Sequence, residues 1–278
     1  MSIKIIEDWR EIMLTLYFSG TGNTEFIAKR FSHKMDAQCL SIEDDADFSS
    51  AIRANDTIAF CYPIYYSRVP RNMRVFAVKH QRELTGKKII ILVTQMMFSG
   101  DGARVFTDLF DDGAIDVIYA EHFNMQQNMG NTFLLNLLRP TDKVIKRQVR
   151  RTEAKLNRVC ADIKHNIVKK RGFSKVSVLL GLIQGAFWQP NTKEAGAQGL
   201  EKRITDNVKI HPNCTACNLC TKICPMDNLV NHEGQICHQN NCISCYRCVN
   251  HCPHKAITVF IHTKPRWQYN GPNHINPR

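Results

Sequence analysis

The first half of the 278-residue chain alternates short apolar runs with amphipathic stretches. A short apolar run bounded by polar residues is typical of a strand buried on both faces. Apolar residues four positions apart, as at Ile27, Phe31 and Met35, predict a helix with one buried face. The predicted strands are 13–18, 38–42, 57–61, 89–93 and 115–119, and helices are predicted around 24–35, 72–84 and 103–110.

This order of elements predicts an α/β fold. Alternating strands and helices give a parallel sheet covered by helices on both faces. Five strands favour the flavodoxin-like doubly wound strand order 2-1-3-4-5. Apolar residues spaced through the charged stretch 142–170 predict one long helix that closes this domain.

The pattern changes after residue 171. Residues 176–188 are almost entirely apolar, and the stretch 189–199 is rich in Pro, Asn and Gly, which predicts a connector. We expect the apolar piece to pack between domains, with a membrane-surface helix as the alternative. The expected units are 1–171, a connector 172–203, a small α+β domain 204–262 and a loosely held tail 263–278.

A glycine- and hydroxyl-rich turn follows the first strand. Glycines let the backbone approach a ligand, and hydroxyl groups and helix N-terminal amides bind anionic oxygens. The turn lacks both the Walker A lysine and the third glycine of a dinucleotide fingerprint, so a mononucleotide phosphate is favoured. The simpler alternative is an ordinary helix N-cap. The residues are Ser19, Gly20, Thr21, Gly22, Asn23 and Thr24.

Eight of the twelve cysteines form a repeat with the spacing C-x2-C-x2-C-x3-C-P. This spacing, used twice, is the pattern of a bacterial two-cluster ferredoxin, in which the fourth cysteine of each run ligates the other cluster. We therefore assign one set of four cysteines to each of two 4Fe-4S clusters. The first set is Cys214, Cys217, Cys220 and Cys252, and the second is Cys242, Cys245, Cys248 and Cys224.

Zinc and disulfides are the competing interpretations of these cysteines. Disulfide scaffolds are typical of short secreted chains, and residues 1–11 carry no apolar signal segment. Zinc usually takes C-x-x-C pairs separated by a longer stretch, without a third cysteine so close. The residue after the second cysteine is Asn218 in one run and Tyr246 in the other. Tyr adopts left-handed backbone conformations poorly, so the sequence leaves the shape of the second loop open.

Charge and hydropathy restrict the location and the partners. The longest apolar run, about 13 residues, is shorter than the ~20 residues that a membrane span needs, so we expect a cytoplasmic protein without a transmembrane segment. The formal net charge of +12 is concentrated in 139–175, where thirteen Lys and Arg face three Asp and Glu. This segment matches no nucleic-acid-binding motif and lacks aromatic stacking residues. An acidic redox protein such as a small ferredoxin is the better electrostatic match.

The stretch from Tyr17 to Ala28 resembles the FMN phosphate loop of flavodoxins position by position. Together with the cysteine repeat, the chain resembles flavodoxin–ferredoxin fusion proteins of anaerobes. The resemblance implies FMN bound at 19–24, with the flavin ring contacted by loops after later strands. The residues matching those loops are Pro63, Tyr65, Tyr66, Thr94, Gln95 and Met96.

FMN and two clusters in one chain would make it an electron-transfer flavoprotein, because a flavin exchanges one or two electrons and each cluster exchanges one. The alternative is an FMN-dependent reductase of a small molecule that the clusters supply with electrons. The sequence shows no NAD(P)H fingerprint. Cys39, Cys61 and Cys160 lie among apolar residues and are expected in the core, and Cys237 has no expected ligand role.

Overall fold

The structure is a computed structural model, and it describes residues 12–132, 139–188, 201–203 and 206–272, except for the side chains of 184–188. The strands are β1 (Met13–Tyr17), β2 (Gln38–Ser41), β3 (Thr57–Pro63), β4 (Lys88–Gln95), β5 (Asp116–Asn124), β6 (Lys169–Lys170), β7 (Val208–Ile210), β8 (Leu229–His232), β9 (Gln235–His238) and β10 (Ile257–Val259). The α-helices are α1 (Asn23–Met35), α2 (Phe48–Arg53), α3 (Arg71–Lys79), α4 (Gln81–Leu84), α5 (Asp142–Lys164), α6 (Lys175–Trp188), α7 (Leu219–Lys222) and α8 (Arg247–His251), and Arg104–Leu109 is a 3-10 helix.

The first six strands form one parallel sheet in the order β2-β1-β3-β4-β5-β6. The flavodoxin-like order is therefore confirmed, with one short strand added at the edge. Both faces are buried: Ile89 and Ile91 of β4 belong to one apolar cluster, and Ile90 and Leu92 belong to another. Alternation of side chains along a strand explains why an uninterrupted apolar run is needed at this position.

The helix predicted over 142–170 is shorter than expected. It ends at Lys164, and Asn166 adopts a left-handed backbone with φ of 55°. Lys169 and Lys170 then pair with Tyr119 and Ala120 as the edge strand β6. Asn tolerates this backbone, which lets the chain turn back onto the exposed edge of β5.

Two other expectations are wrong for the described residues. The apolar piece does not pack between domains, because Val176, Leu179 and Leu182 of α6 are exposed. The tail is not loosely held up to residue 272, since Trp267 and Tyr269 are buried against Ile145 of α5. The stretch 189–199 and residues 273–278 lie outside the described residues.

The C-terminal part holds two short antiparallel pairs, β7 with β10 and β8 with β9, and the helices α7 and α8. Its second cysteine loop packs directly on the large sheet. Ile243 and Cys245 belong to the same apolar cluster as Phe18 and Tyr62. The two parts of the chain therefore share a core at the carboxyl end of β1 and β3.

Candidate functional site

A cavity of about 510 Å³ opens at the carboxyl edge of the sheet, where β1, β3, β4 and β5 end. Its volume is in the usual range for ligand pockets. Gly22 lies beside the cavity as the N-cap of α1. The other candidate FMN residues line it, namely Ser19, Gly20, Thr21, Asn23, Thr24, Pro63, Tyr65, Tyr66, Thr94, Gln95 and Met96.

Buried hydroxyl groups form one end of the cavity. Ser19, Thr21 and Thr24 are all less than a tenth exposed, and the Thr24 and Thr94 hydroxyl oxygens are 2.8 Å apart. The Gly22 backbone, with φ of 90°, starts α1 without any side-chain cap on the first-turn amides. Hydroxyl groups and uncapped helix amides bind anionic oxygens, so these residues fit the phosphate of FMN.

Asn23 has a different role from its neighbours. Its side-chain amide donates to the Gln126 carbonyl oxygen at 2.7 Å, and the Tyr269 hydroxyl donates to its Oδ1 atom at 2.6 Å. Both ends of the side chain are therefore occupied by protein partners. Asn23 ties the start of α1 to the loop after β5 and to the C-terminal segment.

Tyr65 and Tyr66 lie on a strained two-residue turn. Tyr65 and Arg68 exchange two backbone hydrogen bonds, of 3.2 and 2.8 Å, around Tyr66 and Ser67, whose φ angles are 53° and 57°. Positive φ at both central positions defines a type I′ turn, which favours Gly and Asn rather than these residues. Such strain is found where a side chain must face a ligand, and both tyrosines face the cavity.

Two parts of the cavity were not predicted from the sequence. The loop after β5 contributes Met125, Gln126, Gln127, Asn128 and Met129, and the second cysteine loop contributes Ser244 and Tyr246. The strand predicted over 115–119 actually continues to Asn124, so the polar run that follows was not recognised as a cavity loop. Its polar composition, directly after a strand, was the available signal.

The eight repeat cysteines lie in two groups. Cys220 interacts electrostatically with Cys214, Cys217 and Cys252, which together make the first predicted set. We call this set the outer set, because Cys217 is exposed. All four members of the second predicted set, which we call the inner set, line one small internal cavity: Cys224, Cys242, Cys245 and Cys248.

The backbone supports these thiols in the same way in both runs. The amide of Asn228 donates to the Cys224 sulfur at 3.3 Å, and the amide of Ala256, 28 residues later, donates to the Cys252 sulfur at 3.3 Å. Burial raises the pKa of Cys245 to about 12 and that of Cys220 to about 11. Without metal these two thiols stay protonated at neutral pH, so metal binding must release their protons.

The spacing of the thiols also bears on the zinc interpretation. Within the described ranges, no three His, Cys, Asp or Glu side chains converge closely enough to bind a single metal ion. A lone zinc ion needs thiolates at about 2.3 Å from one centre. Eight thiol donors in two sets of four instead fit two iron–sulfur clusters.

Arg247 connects the inner set to the phosphate loop. It lies between Cys245 and Cys248, and its guanidinium donates to the carbonyl oxygens of Ser19 at 2.7 Å and Gly20 at 3.2 Å. It also pairs with both carboxylate oxygens of Glu43, at 2.8 and 2.7 Å. Burial alone would lower the pKa of Arg247, but the hydrogen bonds to Glu43 together with the nearby negative charges of Cys245 and Glu43 raise it, so the side chain stays charged.

Gly20 is a point of close approach between the phosphate loop and the second cysteine loop. A Cβ atom at this position would lie 2.5 Å from the Tyr65 hydroxyl oxygen and 2.7 Å from the Cys245 carbonyl oxygen. Asn128 completes the contact, because its side-chain amide donates to the Thr21 hydroxyl at 3.1 Å and to the Cys245 carbonyl at 3.2 Å. Only glycine fits at residue 20 without displacing one side.

Comparisons with known proteins match two separate parts of the chain. Residues 14–139 match the family model of the flavodoxin domain. Residues 213–257 match the family model of the 4Fe-4S dicluster domain. A search of curated proteins found no match.

Among solved structures, the flavodoxin of Megasphaera elsdenii is 20% identical, with 40% of this chain and 85% of that chain covered and a TM-score of 0.36. A flavoprotein in complex with FMN from Lactobacillus acidophilus is 14% identical, with 40% and 93% covered and a TM-score of 0.34. The domain matches, the parallel sheet and the eight grouped thiols lead to one conclusion. The chain contains a flavodoxin domain, with FMN as its cofactor, and a 4Fe-4S dicluster domain, the composition of a flavodoxin–ferredoxin fusion protein.

Proposed function

We propose that this protein is an electron-transfer flavoprotein that relays electrons between FMN, its two 4Fe-4S clusters and an external redox protein. One observation carries the proposal: the inner cysteine loop forms a wall of the flavin cavity through Ser244 and Tyr246. When bound, the flavin supplies chemistry with one or two electrons, and iron–sulfur clusters supply one-electron chemistry. The protein's own part is to hold these groups close together and shielded from water.

The two cysteine sets differ in their access to solvent, which favours an order for the relay. Cys245 of the inner set is only 7% exposed and lies between Ser244 and Tyr246, which line the flavin cavity. Cys217 of the outer set is exposed. Transfer between proteins requires close approach, so the outer set is the better port for an external partner. The inner set then lies between that port and the flavin cavity.

The basic face of helix α5 favours an acidic partner. Gln268 donates from its side-chain amide to the Cys252 carbonyl oxygen at 2.7 Å, and the neighbouring Tyr269 packs on Ile145 of α5. The same helix exposes Arg147 and Arg151. A basic surface on this helix attracts an acidic ferredoxin and speeds the encounter. We expect the protein to work in the cytoplasm of an anaerobe, where its thiols stay reduced.

The test is anaerobic stopped-flow reduction of the full chain loaded with FMN and both clusters, using a reduced acidic ferredoxin as donor. Wild type should reduce its flavin, and Cys252→Ala, which removes an outer ligand, should block this step. Dithionite should still reduce the flavin of the variant, and the electron paramagnetic resonance signal of the inner cluster should be retained. If a variant shown to lack the outer cluster still reduced its flavin at the wild-type rate, the relay would be refuted.

The second candidate function is an FMN-dependent reductase of a small molecule. It is favoured by the cavity rim, where Met97 and Phe98 are more than half exposed beside the flavin site. An apolar, open rim suits a small aromatic substrate. Steady-state turnover with quinones or nitro compounds under reducing conditions would establish this activity, and its absence leaves the carrier function.

A further inference from the structure

Helix α6 is apolar around most of its circumference, yet it lies on the surface. Val176 is 67% exposed, Leu179 58%, Leu182 63% and Ile183 53%. A helix that is apolar on all sides is normally buried. This cluster of aliphatic side chains on one short helix therefore indicates an interaction surface.

One face of α6 is fixed to the flavodoxin domain through glycines. A Cβ atom at Gly100 would lie 2.7 Å from the Gly181 nitrogen, and a Cβ atom at Gly181 would collide with the Asp101 carboxylate. Asp101 is itself buried and held by Arg104 at 2.7 Å. This contact fixes the helix and turns its aliphatic side chains outward.

Positively charged residues precede the exposed aliphatic residues along the chain. The stretch 163–183 contains five Lys and Arg and no Asp or Glu. Lys169, Lys170, Arg171 and Lys175 are all exposed, and Ile167 and Val168, directly before them, are 50% and 64% exposed. Cations next to exposed aliphatic side chains are typical of segments that bind the headgroup layer of anionic bilayers.

We propose that the exposed face of α6, with the cations at 169–175, docks on the surface of an anionic phospholipid membrane. The described part of the chain has no helix long and apolar enough to cross a membrane. With 14 residues and a rise of 1.5 Å per residue, α6 is about 21 Å long, which suits a helix lying in the headgroup layer. In this arrangement the lysines contact lipid phosphates, and the aliphatic side chains enter the acyl boundary.

A second copy of the chain is a poorer occupant of the same surface. A two-fold contact through α6 would bring the same cations of both copies together, and like charges across an interface are repulsive.

The docking surface also adjoins the mouth of the flavin cavity, since Met97 and Phe98 are exposed just before the contact between Gly100 and Gly181. The cavity would then open beside the membrane.

The experiment is vesicle co-sedimentation of the full-length protein loaded with FMN and clusters. One vesicle set is phosphatidylcholine alone, and the other contains phosphatidylglycerol as well. We expect binding to the anionic vesicles to be about tenfold or more tighter and to weaken with added salt. Leu179→Glu with Leu182→Glu should abolish binding, and Lys169→Glu with Lys170→Glu should weaken it.

Val75→Glu is the matched control, because Val75 is an exposed aliphatic residue on α3, outside this surface. It should bind vesicles like the wild type. Flavin content and circular dichroism establish that each variant is folded. Equal sedimentation with both vesicle sets, or wild-type binding by the folded Leu179 and Leu182 variant, would overturn the proposal. A wild-type dimer that this variant dissociates, without vesicle binding, would assign the surface to a second copy instead.

Discussion

The two runs of the cysteine repeat have the same backbone in different surroundings. The residue after the second cysteine is left-handed in both, with φ of 62° at Asn218 and 60° at Tyr246. The second loop therefore repeats the shape of the first, although Tyr rarely adopts this conformation. Burial of Tyr246 and a hydrogen bond from its hydroxyl to the Val259 carbonyl oxygen at 2.9 Å stabilise it there.

The surroundings differ at the position before the third cysteine. The first run has Leu219, which is partly exposed, and the second has Arg247, which holds the phosphate loop and Glu43. Repeat spacing sets the ligand geometry, whereas neighbouring side chains set the potential and the partner of each cluster. Similar motifs therefore have different roles here, one facing solvent and the other facing the flavin cavity.

The largest effect is expected from removing the one cysteine of a run that ligates the other cluster. Cys224 lies in the first run, but Cys224→Ala should remove the inner cluster and lower the iron content from about eight to about four per chain. Electron paramagnetic resonance of the reduced variant should show only the outer cluster. Loss confined to the outer cluster would show that each run binds its own cluster and that our cross-ligation is wrong.

The next largest effect concerns Gly20, the point of contact between the phosphate loop and the inner run. In Gly20→Ala the new Cβ atom meets the Tyr65 hydroxyl and the Cys245 carbonyl, so one of the two must move. Such overpacking costs about 1–3 kcal/mol, which corresponds to about a 5- to 150-fold weaker affinity for FMN. Fluorescence titration with FMN measures this affinity.

Gly86→Ala is the control for Gly20→Ala. It also replaces a glycine, at a φ of 78°, but no atom lies within 4 Å of the added Cβ. It should lower stability without changing FMN affinity. Unchanged FMN binding by Gly20→Ala would mean that the two domains do not meet at this residue in solution.

Arg247→Ala should weaken FMN binding by about tenfold, because two carbonyl groups of the phosphate loop lose their donor. Arg247→Lys should recover part of this loss by restoring the charge without the paired geometry. The inner cluster should also become harder to reduce when the nearby cation is removed, which potentiometric titration measures.

Leu219→Ala is the equivalent change in the first run. It should leave both FMN affinity and the inner potential unchanged, since Leu219 is partly exposed and does not line the flavin cavity. Equal effects of the two substitutions would contradict the difference between the runs.

The smallest effect is expected at the left-handed positions. Tyr246→Phe removes the hydrogen bond to Val259 and should lower the free energy of unfolding by about 1 kcal/mol. Asn218→Gly should change it little, because glycine adopts this backbone readily. Urea unfolding of the loaded proteins under anaerobic conditions compares them, and a stable Tyr246→Phe variant would point to burial alone as the stabilising factor.

Much of the flavodoxin domain was predictable because its strands are continuous apolar runs. The end of β5 was not, since Glu121 and His122 do not fit that pattern. Both are buried in the structure, and Glu121 is paired with Lys155 at 2.9 Å. Burial of a charge depends on a partner from a distant helix, which strand periodicity cannot show. The cavity loop after β5 was missed for this reason.

The sequence by itself determined the parallel sheet and the glycine- and hydroxyl-rich turn, and it predicted the two cysteine sets, because strand period, turn residues and ligand spacing are local properties of the chain. Only the tertiary structure decided that the inner cysteine loop forms a wall of the flavin cavity. It also decided that Arg247 holds the phosphate loop and that Tyr269 reaches Asn23 from 246 residues away. These contacts join distant segments, and their formation depends on how two independently patterned surfaces fit together.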